Sequence, residues 1–355
     1  MAVRKPSSLV LSLLAATALA LSLGATGCGS SGGGTAPGGT TGGGGGAGGT
    51  GATGFTQGTI TGFGTIHMGG GADEKVFHTE GAILKRLDDD LEHDGTGDDA
   101  VMFRLGMKVR VFHDADSTHA REVRFMDDLE GPITAKPSAH AGATFDVLGV
   151  PVLVDGNTHF DDSIGGSGLT LAGLTVGNVI ELSGDFDASG VMHATFIEGE
   201  HASAAGRTFE IKGEVANLSG AFPNQTFTVN GATFTMNSTS QLHDMVSLSN
   251  GVFVELKTTS TSAPFIVTRI EGLNGDFDEA ENEVRGADEA SVEGFVTGLT
   301  GSSPNFSFTI AGTHVTTSSA TTVGLSLVHA NAHIEAEGPV GANGEIKATR
   351  ISARP

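Results

Sequence analysis

The sequence predicts an all-β protein made of four small closed barrels in tandem, carried behind a disordered glycine-rich tether. Three observations predict it. A glycine-led strand recurs as GTITG at 58–62, GPITA at 131–135, GEVAN at 213–217 and GFVTG at 294–298, its glycines 73, 82 and 81 residues apart. Between these marks apolar and polar residues alternate with period two, and no helical period is sustained. Residues 29–54 contain no apolar side chain larger than alanine or proline, so they cannot bury enough surface to offset the entropy of ordering.

The chain opens MAVRKPSS, with Arg4 and Lys5 and no acid before Cys28, followed by the apolar run LVLSLLAATALALSL. A charged start, a short apolar stretch and small residues at its end are the order of a secretory signal, expected over 1–27. The run is too short to span a bilayer comfortably. Ala25, Thr26 and Gly27 lead directly into Cys28 and resemble the lipobox of bacterial lipoproteins, with Ala25 where that family places Leu. The resemblance implies that Cys28 is lipidated and becomes the mature N-terminus; an ordinary signal-peptidase site nearby is the alternative. Cys28 is the only cysteine, so no internal disulfide can form, and two or more acyl chains at that sulfur would give stable anchoring. Gly29 after the cysteine is what lipoproteins bound for the Gram-negative outer membrane show.

From Cys28 to residue 54 the chain is expected to be a flexible linker. Its 26 residues beyond the cysteine would average about 28 Å end to end and reach about 90 Å when stretched. Gly29, Ser30, Ser31, Gly32 and Gly33 satisfy G-x-S-x-G by accident, because a nucleophile elbow needs a strand before it and a helix after it.

The barrels are expected at 55–130, 131–206, 207–275 and 291–355, with an acidic linker at 276–290. Each unit continues with a hairpin, seen in TFDVLGVPVLVDGNT, TFTVNGATFTMNST and SFTIAGTHVTTSSAT, with a two-residue turn such as Asn230, Gly231. A turn into a fourth strand follows (FRLGMKVRVFHD, LTVGNVIELSGD, SLSNGVFVELKT, SLVHANAHIEAEG), then a closing strand. Single-turn helices are expected near Leu169–Leu174 and Gln241–Val246. Units this small are marginal alone and should gain stability by packing on their neighbours.

The order G-x-[IV]-T-G, F-T-V-N-G, L-x-V-G-x-x-[IV]-E-[LV]-x-G and A-T-x-[IV]-E resembles the bacterial domain of unknown function 5666 family, found in tandem on exported lipoproteins. The resemblance covers most of 55–353, is closest in 131–200 and 207–272, and departs at Asn331, where a turn glycine is expected. It implies an OB-like barrel in each unit and no catalytic residue.

Charge and aromatic usage restrict the function. The whole chain carries 19 basic and 41 acidic residues; without Arg4 and Lys5 the mature count is 17 against 41, or −24. Such a surface repels nucleic acid, so no nucleic-acid partner is expected. Twenty Phe with no Trp and no Tyr leave few groups for sugar platforms. The acidic run LDDDLEHDGTGDD, 87–99, matches the first half of a calcium loop at Asp90, Glu92, Asp94 and Gly95, but Val101 stands where a bidentate Glu is needed. It reads as a solvated loop, or as a weak calcium site using Asp88, Asp90, Glu92 and Asp94. A second acidic run at 271–294 has nine acids against one Arg and reads as an extended hydrated linker, which would leave the fourth unit more mobile than the rest. The 13 histidines show no H-x-H pair, and His329 and His333, four apart on a strand, are too distant to share an ion. No nucleophile, base and orienter spacing is present.

These readings give a lipid-anchored envelope protein acting as a non-catalytic binding or structural module for an unknown envelope protein or polymer, with no cofactor. The alternatives are weak calcium binding through 87–99 and an envelope hydrolase with a carboxylate pair assembled in space.

Overall fold

The structure, a computed structural model, describes residues 53–70, 73–86, 91–94, 102–114, 118–125, 127–162, 168–243, 245–272 and 287–354, with backbone only for 91–94 and 162. The signal segment, Cys28, Asp88, Asp90 and most of both acidic runs lie outside these residues.

The third barrel shows the plan most simply. Its strands are β14 (Phe209–Ala221), β15 (Asn224–Val229), β16 (Ala232–Met236), β17 (Gln241–His243), β18 (Phe253–Thr258) and β19 (Phe265–Gly272). β14 pairs with β15, β15 with β16, β16 runs parallel to β19, β19 pairs with β18, and β18 returns to β14. That closed order, 1-2-3-5-4-1, is the OB arrangement, and closure removes free edges. The second barrel repeats it with β8 (Leu129–Ala135), β9 (Phe145–Val147), β10 (Val150–Leu153), β11 (His159–Asp162), β12 (Val179–Phe186) and β13 (Met192–His201).

The first barrel uses β1 (Thr53–Gly62), β2 (Ile66–Met68), β3 (Lys75–Phe77), β6 (Lys108–Asp114) and β7 (Ala120–Phe125), and adds a hairpin of β4 (Ile83–Arg86) and β5 (Leu91–Asp94). It closes through a parallel bridge between His78 and His119. The fourth barrel is β20 (Glu289–Phe295), β21 (Thr297–Ser302), β22 (Asn305–Ile310), β23 (Thr313–Thr316), β24 (His333–Pro339), β25 (Ile346–Lys347) and β26 (Arg350–Ala353).

In each barrel the segment between the third and fourth strands lies parallel to the fifth: β4 on β7, β11 on β13, β17 on β19, and Val323 on Arg350. Gln241–His243 is therefore strand, not the expected helical turn; its extended backbone extends the sheet beside Arg269–Glu271. At 169–174 the chain makes a turn closed by Gly173 N–H donating to the Thr170 carbonyl (2.9 Å).

Two local devices explain the repeat. The hairpin turns Leu148–Gly149, Asn230–Gly231 and Ala311–Gly312 have positive φ at both positions, the geometry that suits the twist of a two-residue hairpin. Before the fourth strand, Gly106, Gly177, Gly251 and Asn331 also take positive φ, and each donates its N–H to the apolar residue of the glycine-led strand: Ile60, Ile133, Val215 and Val296, at 2.8–3.0 Å. Asn331 replaces glycine because asparagine tolerates the left-handed region.

The cores cross barrel boundaries. The second and third barrels share one apolar cluster, which includes Phe145, Phe209, Phe227 and Phe234. Phe196 of the second barrel packs in the core of the first, and Phe55 and Phe112 of the first pack in the core of the fourth. β1 also runs parallel to β20, with Gly54 to Gln57 opposite Glu289 to Val292. The expected extra mobility of the fourth barrel is therefore not what the fold shows: its first strand is an interior strand of a shared sheet. The described residues between Thr53 and Arg354 form one compact body.

Candidate functional site

A cleft of about 410 Å³ lies where the four barrels meet, and each barrel contributes to its wall. Three tight turns form part of the lining: Asp187–Gly190, Asn230–Gly231 and Ala311–Gly312. Their positive-φ geometry holds backbone and small side chains at the wall, with Phe186 and Phe253 as the aromatic surfaces.

Two buried ion pairs join the barrels beneath it. Lys108, on β6 of the first barrel, donates its backbone N–H to Ser183 Oγ (2.8 Å) and its ammonium to the Gly184 carbonyl (3.3 Å) and to the Asp185 carboxylate, both on β12. Asp128 accepts from Gly184 N–H at 3.1 Å. Burial pulls the Lys108 pKa down, but Asp185 and Asp128 outweigh it and hold the amine above its ordinary value. Burial pushes the Asp185 carboxyl up, yet Lys108 and His333 bring it below the usual range. For Asp128 burial wins and the pKa is raised. On the other side, Lys212 donates to the Asp127 carbonyl (2.6 Å) and carboxylate (2.9 Å), and remains charged because Asp127 and Glu255 overcome desolvation.

Behind the Lys108 pair, Asp185 near the end of β12 and Asp187 in the turn just after it each meet an imidazole. Asp185 Oδ2 is 3.4 Å from His333 Nε2, and Asp187 Oδ2 is 3.6 Å from His193 Nε2. The Phe295 ring sits between these histidines, 4.5 Å from His193 and 4.6 Å from His333. Glu293 lies beside Asp185 and His333, and burial, reinforced by Asp185, pushes its pKa up to about 7.

A row of acids crosses the shared sheet of the second and third barrels. Asp161, Glu198, Glu181, Glu130 and Glu210 are consecutive register partners on β11, β13, β12, β8 and β14. The first barrel reaches onto this row through Arg104 on Asp161 (2.6 Å) and Arg86 on Glu198 (3.1 Å). Glu130, flanked in the row by Glu181 and Glu210, is pushed up to about 8 by burial and then by Asp127 and Glu210.

The residues singled out in the sequence fall elsewhere. Cys28, Asp88 and Asp90 are outside the described residues, while Glu92 and Asp94 lie on β5, opposite Lys85 and Ile83. His333 does not converge with His329; it meets Asp185 and Glu293 from other strands. The cleft residues escaped sequence reading because they come together from four units. The recurring acid in VIELSG and FEIKGE was the available signal for the acidic row.

A family model described as a domain of unknown function, DUF5666, matches residues 130–198, 212–271 and 293–352, the second, third and fourth barrels. No curated protein matches the chain.

Proposed function

The chain belongs to the DUF5666 family, and from that premise we propose that it is a lipid-anchored, non-catalytic binding protein of the cell envelope, which takes a polar ligand into the cleft between its barrels. One observation carries the reading: a single cleft draws its wall from all four units. Its volume falls in the range of small-molecule sites, and its lining mixes apolar rings with a few fixed polar groups, as such sites do. Both signs of charge are present, with Lys108, Arg110, Arg124 and Lys212 facing Asp127, Asp128, Asp185, Asp187 and Glu214. That mixture suits a polar molecule, or the end of an envelope polymer, that carries donors and acceptors together. The net charge of −22 argues against nucleic acid.

The anchoring part rests on the signal-like start, the small residues before Cys28 and the absence of a second thiol. A tether ending at β1 would leave the body free to sample the space around its anchor. The outer membrane is the proposed location.

Ser189, exposed in the Asp187–Gly190 turn, gives a clean test. Wild-type protein and Ser189→Trp are incubated with a small-molecule and glycan extract of envelopes, and retained compounds are read by native mass spectrometry. A compound held by the wild type and lost from the variant, at unchanged melting temperature, supports the reading. No retained compound, or equal retention by both, would overturn it.

A further inference from the structure

We propose that Asp185, Glu293 and His333 form a binding site for a divalent transition ion of the zinc class, placed where the second and fourth barrels meet. One oxygen from each carboxylate and one ring nitrogen of His333 lie within 4.8 Å of one another. Imidazole with two carboxylates is a donor set that zinc accepts, with a fourth position left for water or a ligand group.

The spacing fits coordination better than direct pairing. Asp185 Oδ2 and His333 Nε2 are 3.4 Å apart, whereas charged hydrogen bonds run at about 2.7–2.9 Å. Arms of about 2.0–2.1 Å in a tetrahedral site place neighbouring donors about 3.3–3.4 Å apart.

An independent observation comes from Glu293. It is 8% exposed, yet its carboxylate accepts no hydrogen bond from any described residue. Among the described residues its ion-pair partner is Arg354, with Nε at 3.5 Å, and that Nε–H has no hydrogen-bond acceptor among them either. A buried carboxylate is normally satisfied by donors, and this one is directed at the Asp185 and His333 donor atoms instead.

Charge balance points the same way. Six acids, Asp127, Asp128, Asp185, Glu293, Glu335 and Glu337, meet four cations, Lys75, Lys108, Lys212 and Arg354, which leaves two negative charges in excess when all are ionised. A divalent cation would neutralise that excess. Room for the carboxylate is kept by Gly294, where a Cβ would lie 2.8 Å from Asp185 Oδ1. Lys108 then acts as the outer partner that orients the Asp185 ligand, in the way ligating carboxylates are usually held. Asp185 also lines the cleft, which gives the ion its entry path. The inference does not depend on what else the cleft takes.

The test uses the full chain stripped with chelator, titrated with Zn²⁺ by calorimetry and with Co²⁺ by visible absorption, without any envelope extract. One equivalent of Zn²⁺, a low-coordinate Co²⁺ spectrum and a raised melting temperature are expected for the wild type. His333→Gln and Glu293→Gln are each expected to weaken binding by about 100-fold or more, exceeding the usual cost of losing an outer partner. If one variant misfolds by circular dichroism in chelator, the other decides. Absence of saturable binding by the wild type would overturn the site, as would unchanged affinity in the folded variants, which would place the ion elsewhere, for instance at 87–99.

Discussion

Lys108 of the first barrel and Asp185 of the second form a buried ion pair, 77 residues apart in sequence, beneath the cleft. Both side chains are at most 5% exposed, so neither charge has water to fall back on. Lys108→Met is therefore expected to cost about 3–5 kcal/mol, because it leaves the Asp185 charge buried without its partner. Adding Asp185→Leu should recover most of that loss, since replacing both charges with apolar groups is often neutral. Urea unfolding of the single and double variants in chelator measures both.

Phe55 lies on β1 but packs in the core of the fourth barrel, 5.5 Å from Phe112. Phe55→Ala is expected to destabilise by about 3–5 kcal/mol through lost burial and the cavity left behind. Hydrogen exchange should show protection falling in β20 and β24 at least as much as in β6. Loss confined to the first barrel would mean that the barrels do not share this core.

Asn331 holds φ at 63° and accepts a hydrogen bond from Ala188 N–H of the second barrel at 2.7 Å. Asn331→Gly should keep the backbone turn and lose only the bond. Asn331→Val should cost about 1–2 kcal/mol more than the glycine variant, because a β-branched residue resists the left-handed region. Thermal unfolding of the two variants side by side checks the difference.

The pH dependence follows from carboxyls raised by burial. Glu130 rises from 4.5 to about 8 and Glu293 from 4.5 to about 7. Each keeps in the folded state a proton that the unfolded chain has released, so its stabilising contribution is complete below pH 4.5 and is lost as pH climbs through the folded value. Asp185, held below 3.8, works the other way, contributing above that value and failing only in stronger acid. In chelator the melting temperature should be highest near about pH 5 and decline toward pH 8.5. Glu130→Gln should flatten the decline and raise the melting temperature at pH 8.5 by about 2–4 °C.

The barrel plan was legible in the sequence because its causes are local. Alternation in FTVNGATFTM is enough to form β15 and β16, and Asn230–Gly231 supplies the turn that joins them. Family resemblance extended this to the closed strand order, and the departure at Asn331 proved to be a residue that does the same backbone work as glycine. What failed was arithmetic between distant units. Asp185 and His333 are 148 residues apart, and no spacing rule connects them. The acidic run before the fourth barrel suggested separation, yet β20 is held by four register partners on β1, a parallel pairing that leaves no hairpin signal. A single-turn helix is expected near Gln241–Val246, while β19 supplies Gln241–His243 with strand partners that override local preference.

The account depends most on the four barrels closing into one body around the cleft. Thr56 and Ser291 are register partners on β1 and β20, and both are buried. Neighbouring strands lie within the reach of a disulfide, so Thr56→Cys with Ser291→Cys should oxidise to a single intramolecular bond in the folded protein, read by mass spectrometry after proteolysis. A bond formed in high yield, with native circular dichroism, is the expected result; two thiols that stay free in the folded protein under oxidising conditions would contradict the account.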